Sequence, residues 1–328
     1  MSGDSRPVRL RRLRRTESLR NWVAETDVAL RHLIYPIFVA PGDGAPEPIL
    51  SLPGVQRYPV PHLGSFAREL DTEGIRAVLL FGVARTKDDE GSDAWAEDGG
   101  VPLAVRAIKD AAPRLVVATD VCLCAYTSHG HCGLVRDGAV DNESSVERLG
   151  RVAVAHANAG ADVVAPSAMM DGQVAGIRAA LDHAGHEETA ILAYSTKHAS
   201  AFYGPFRDAE QSTPSFGDRR SYQMDFRNAR EALREMELDI AEGADLLMVK
   251  PASTSLDLLA RARERFRLPL AAYQVSGEYA MIKAAAEKGV VDERAAVEET
   301  LVALRRAGAD LLVTYFARDV ARWAREDR

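Results

Sequence analysis

The sequence predicts an α/β fold, a closed (β/α)8 TIM barrel with an extended N-terminal arm. Three observations carry that prediction. Short apolar, β-branched runs alternate with longer amphipathic stretches from residue 33 to residue 316, the pattern of repeated βα units. The phrases AGADVV, EGADLL and AGADLL recur ahead of the fourth, sixth and eighth runs, each joining a helix end, a capping glycine and an incoming strand. No G-x-G-x-x-G turn follows the first run, which leaves an open dinucleotide-binding sheet without support.

The runs, in order, are LIYPIFV (33–39), AVLLFGV (77–83), LVVATDVCL (115–123), DVVAPS (162–167), ILAYSTK (191–197), LLMVKP (246–251), LAAYQVS (270–276) and LLVTYF (311–316). Helical spacing fills the intervals at 64–74, 101–112, 144–159, 172–184, 225–242, 254–266, 278–288 and 292–307. Gly160, Gly243, Gly289 and Gly308 stand where helix C-caps want glycine. Residues 1–30, rich in arginine, read either as an arm for oligomer contacts or as a disordered tail; 31–328 form the barrel. Residues 198–224 form a long, aromatic and charged insertion, and loops of that length are usually lids or disordered.

The 328 residues are 47% hydrophobic and 27% charged, with a formal net charge of −7. That balance argues against nucleic-acid binding, which needs a basic face. No run is long enough for a membrane span, and no apolar stretch follows the basic residues 9–20 as a secretory signal would require. A cytoplasmic protein is expected. The three cysteines are Cys122, Cys124 and Cys132. An odd, tight cluster is a poor disulfide framework and a good set of soft ligands.

Barrel active sites lie at the carboxyl ends of the strands. Those ends carry Asp120 with the cysteines, Ser167, Lys197, Lys250, Ser276 and Tyr315. Two lysines ending neighbouring buried strands are unusual, because an ammonium is costly to desolvate. Close together, and near a dication, they depress each other's pKa and supply a free amine for imine formation with a ketone. Alternation along a strand puts Asp120, Cys122 and Cys124 on one face, and Cys132 can return as a third thiolate. Three ligands suit a catalytic zinc; His129 and His131 are rival ligands for a closed structural site. Arg207, Arg219, Arg220 and Gln223 in the insertion are candidates for carboxylate binding.

The motifs DVCLCAYTSHGHCG, VAPSAMMDG, YSTKHASAFYGPFRDA, GDRRSYQMD, EGADLLMVKPA, AYQVSGEYAMI and TYF together resemble the porphobilinogen synthase (5-aminolevulinate dehydratase) family, in its zinc-using branch, over nearly the whole chain. The resemblance implies condensation of two 5-aminolevulinate molecules in tetrapyrrole (heme) biosynthesis, through lysine Schiff bases. By position, Lys250 and Lys197 match the lysines that hold the first and second substrates. Ser276 and Tyr315 match residues at one substrate carboxylate, with Tyr273 nearby, and Arg207, Arg219 and Gln223 match residues at the other. Phe202, Tyr203 and Phe206 belong to the lid, and Ser167 to the substrate site. Cys122, Cys124 and Cys132 match the zinc ligands, with Asp120 beside them; Asp120 and a metal-bound hydroxide are the candidate bases. Glu235 resembles an allosteric magnesium position of some members, against the plainer reading of a solvated helix glutamate. A homo-octamer is implied. Ala168, Ala125 and Gln173 depart from the usual aspartate, glutamate and arginine. A zinc-assisted Schiff-base aldolase and a catalytically inactive metal-binding scaffold are the alternatives.

Overall fold

The computed structural model describes residues 8–327. Eight parallel strands close into a ring: β1 (Leu33–Ala40), β2 (Ala77–Gly82), β3 (Val116–Val121), β4 (Val163–Pro166), β5 (Ala190–Lys197), β6 (Leu246–Lys250), β7 (Leu270–Tyr273) and β8 (Leu311–Val313). Closure runs through β1, which pairs with β2 along Ile34–Val39 and with β8 at Leu33–Leu312 and Ile34–Val313. All eight expected strands are present, several ending earlier than their apolar runs. β7 stops at Tyr273 and β8 at Val313, so Ser276 and Tyr315 stand beyond the ladders. Ser276 instead opens the helix Ser276–Glu287. An apolar run continues past the strand because the loop it feeds is itself buried.

The helices between the strands form where the spacing predicts them. Asp141 caps Asn142–Asn158 by accepting the Ser144 N–H at 3.0 Å, and Asp292 caps Glu293–Arg306 by accepting that of Ala295 at 2.8 Å. The glycines at 160, 243, 289 and 308 all have positive φ, closing their helices in a conformation that a Cβ disfavours. Beyond the arm, two further helices were not foreseen. Gly204–Glu210 lies inside the insertion, with Pro205 in its first turn. Ala317–Glu326 ends the chain, and its Arg318 forks onto Glu73 at 2.5 and 2.8 Å, bolting it to the helix Val60–Glu73.

Large side chains fill the barrel: Phe38, Phe81, Tyr194 and Tyr273 are all fully buried. Burying each such ring is worth roughly 2–3 kcal/mol. Their layer forms the floor of the carboxyl end. Residues 1–7 of the expected arm lie outside the described residues. From residue 8 to residue 30 the arm carries a turn of 3-10 helix (Leu10–Arg14) and a short helix (Glu17–Trp22) and buries none of its described residues; Trp22 is 80% exposed. Among the described residues no helix is long and apolar enough to cross a membrane.

Candidate active site

Lys197 and Lys250 end β5 and β6 as direct partners across the ladder. Parallel pairing in register therefore sends both side chains to the same level of the barrel mouth. Lys250 Nζ lies 4.3 Å from the Tyr273 ring centre, 4.7 Å from Phe206, 5.1 Å from Tyr203 and 5.3 Å from Tyr194. Burial, and then the neighbouring Lys197 ammonium, push its pKa down to about 7. Lys197 Nζ donates to the carbonyl of Ser167 and lies 5.5 Å from the Tyr194 ring.

Asp120 reaches the same space from β3. Burial lifts its carboxyl to about 6 against the pull of Lys197, and Oδ1 has no hydrogen-bond partner among the described residues. With Cys124, Ser167, Tyr203, Phe206, Arg207, Glu210 and Arg219, these groups line one pocket with only about 10 Å³ of room. That is of the order of one water, and residues 203–219 of the insertion line the pocket's outer side.

Just past β3, the Sγ atoms of Cys122, Cys124 and Cys132 lie within 4.8 Å of one another, all buried and free of disulfides. Cys122 and Cys124 are 3.4 Å apart. Hydrogen bonding among the sulfurs divides them, pushing the Cys122 thiol up and that of Cys132 down. Three converging soft donors fit a thiophilic divalent ion. Neither histidine joins them. His131 is engaged by Tyr222 OH at 3.0 Å and Phe216 O at 3.1 Å, and His129 Nδ1 accepts the His131 N–H at 3.1 Å. The closed structural site with histidine ligands is thus not formed; the His131 imidazole instead ties the 198–224 segment to the cysteine loop.

Other expected residues lie further out. Ser276 accepts the Phe206 N–H at 3.0 Å and donates to Phe202 O at 3.3 Å, pinning the lid backbone. Tyr315 and Tyr273 share a hydrogen bond of 3.2 Å. Phe202 lines a separate groove with His198, Phe226 and Pro251. Gln223 and Arg220 line a neighbouring cavity of about 470 Å³ together with Glu235, Asp171 and Glu231. Burial, then Asp171, Glu242 and Glu231, raise Glu235 to about 7.

The sequence reading missed Glu210 and Tyr194. Strict alternation along β5 puts Tyr194, three residues ahead of Lys197, on the face opposite the lysine. The ladder slips between these positions: Ala193 and Thr196 of β5 pair with Leu247 and Val249 of β6, so β5 carries one extra residue. That irregularity returns Tyr194 to the side of both amines.

Against known proteins, the sequence model of the family described as Delta-aminolevulinic acid dehydratase matches residues 7–323. The chain belongs to that family. Among its curated members, the Synechococcus elongatus dehydratase is 52% identical, over 96% of this chain and 98% of the relative. The Escherichia coli K12 dehydratase is also 52% identical, over 95% and 96%. A crystal structure of the Toxoplasma gondii dehydratase, in complex with the reaction product porphobilinogen, superposes with a TM-score of 0.95 at 46% identity, covering 99% of this chain and 93% of that one. Within the dehydratase frame, Ala168 and Ala125 are buried and Gln173 accepts the Met170 N–H at 3.3 Å. Ala168 leaves the end of β4 without a carboxylate, whereas Glu210 brings one in from the lid.

Proposed function

We infer that the chain condenses two molecules of 5-aminolevulinate to porphobilinogen with loss of two waters, using Lys250 and Lys197 as imine-forming amines and zinc at the three cysteines. The observation that carries the reading is the in-register pair of buried lysines sharing one pocket with Asp120 and Cys124. Lys250, held near neutrality among aromatic rings, supplies the free amine for the first substrate ketone. Lys197 does the same for the second, and the shared register sets the two carbon chains side by side. Asp120 accepts and returns protons at carbon, its carboxyl near 6 suiting both tasks. Arg207 and Arg219 pair with a substrate carboxylate from the lid side; Ser276 and Tyr315 receive the other. Zinc, when bound, supplies Lewis acidity toward the second substrate.

The enzyme works in the cytoplasm, where a reducing compartment keeps the cysteines as thiols. The exposed arm mediates assembly into a homo-octamer, and the acidic cavity around Glu235 takes an allosteric magnesium ion. A colorimetric porphobilinogen assay under reducing conditions, with and without zinc, tests the reading. Zinc-dependent pyrrole formation is expected, and Lys250→Ala is expected to abolish both turnover and borohydride trapping of labelled substrate. Absence of product from fully zinc-loaded protein would overturn it.

A further inference from the structure

The helix Gly204–Glu210 brings Phe206 and Arg207 to the pocket. Seven residues are too few for a helix to persist alone, so its place depends on what holds its ends. The segment that contains it leaves the barrel at Lys197, the end of β5. β1 is the fourth strand away in either direction round the ring and so forms the opposite wall. From that wall Arg57 reaches the last turn of the helix. Its Nε donates to the carbonyl of Ala209 at 2.7 Å, and a terminal guanidinium nitrogen to that of Asp208 at 2.8 Å. Lys87, in the loop after β2, donates to the carbonyl of Gln211. Gln211 caps the helix with φ +53°, a left-handed conformation uncommon for a residue with a side chain. A helix end leaves such carbonyls without intrahelical partners, and positive charge is favoured beside them. Among the described residues neither cation forms an ion pair; both direct their donors at this one stretch of backbone. Each has a fixed support. Arg57 lies in the short strand Gln56–Pro59, opposite Phe38 of β1. Asp88, next to Lys87, bridges to Thr127 and accepts the N–H groups of Glu90 and Ser92 at 3.0 Å each.

We propose that Arg57 and Lys87 are positioning residues for the condensation: from the far wall of the barrel mouth they fix the carboxyl end of the helix Gly204–Glu210, and through it keep Phe206 over the Lys250 amine and Arg207 in the pocket. The proposal rests on the reading of that pocket as the reaction site. Freeing the helix end lowers the fraction of molecules in which Phe206 and Arg207 are in place, and apparent substrate affinity falls with that fraction. Saturating substrate restores the arrangement, so KM rises while kcat holds. A merely structural role would do the opposite, lowering kcat through lost active protein and leaving KM unchanged.

The test is deuterium exchange across residues 203–212, read by mass spectrometry, in full-length wild type, R57M, R57K and K87M. KM and kcat for 5-aminolevulinate are measured on the same preparations. R57M is expected to speed exchange in that stretch roughly tenfold, leaving β5 and β6 as in wild type. KM is expected to rise by a similar factor, with kcat within about twofold. R57K, which can keep one of the two bonds, falls between. K87M alters an exposed side chain and shows a smaller change of the same kind, which keeps the test open if R57M fails to fold. Exchange or KM equal to wild type in the folded variants would overturn the proposal. A wild type that forms no porphobilinogen would overturn the condensation itself, a distinguishable result because the exchange readout needs no turnover.

Discussion

Lys250 ends a buried strand with four aromatic rings around its nitrogen, and this surrounding makes stability depend on pH in a definite direction. Its pKa falls from 10.5 to about 7 on folding. Between those values the unfolded chain binds more protons, so this residue's contribution to stability rises with pH across that window. Below about 7 the full cost of burying the ammonium is present. Lys250→Met is therefore expected to exceed the wild type in Tm most at pH 6 and least near pH 10. A difference independent of pH would show that Lys250 does not titrate in this window. The lysines, Asp120 and the cysteines were legible because strand-end position and alternation fix where a side chain points. Glu210 was not, since its place depends on a helix that the insertion's polar composition concealed.

At the scale of elements, the 198–224 segment, proposed above as the lid side of the site, is held by contacts from several directions. Arg219 donates to the carbonyls of Gly130, at 2.9 Å, and Ser212; Ser215 N donates to His129 O at 2.9 Å; and Phe206 packs edge-on against Phe81 at 4.9 Å. Phe206→Ala removes the ring that ties the lid to the barrel floor. It is expected to speed tryptic cleavage within 198–224 several-fold and raise KM, with the barrel's unfolding transition nearly unchanged. Limited proteolysis followed by mass spectrometry reads the first effect. The strands and helices of the barrel were readable because period and capping glycines are local signals. The carboxyl-end boundaries were not, because buried loops such as 314–316 continue the run past the last ladder pair.

At the scale of the molecule, the ring is separate from residues 8–23 of the arm, whereas Val28 and Leu30 pack against the core. None of the described arm residues is buried, so deleting residues 1–23 is expected to leave the Tm of the barrel within a few degrees. The same deletion is expected to reduce the assembled mass measured by light scattering; an unchanged mass would remove the arm from assembly. The sequence showed the arm as a basic segment ahead of the first strand, yet charge alone cannot say what an exposed Trp22 meets.

Closure of the ring through β1 and β8 also places the two ends of the barrel together, with Val28 and Asp327 lining one cavity. Which strand comes first in the gene is then arbitrary for the barrel itself. A circular permutant that links these ends and begins anew at Gly185, in an exposed turn at the amino-terminal face ahead of β5, keeps every strand pair and leaves the lysines undisturbed.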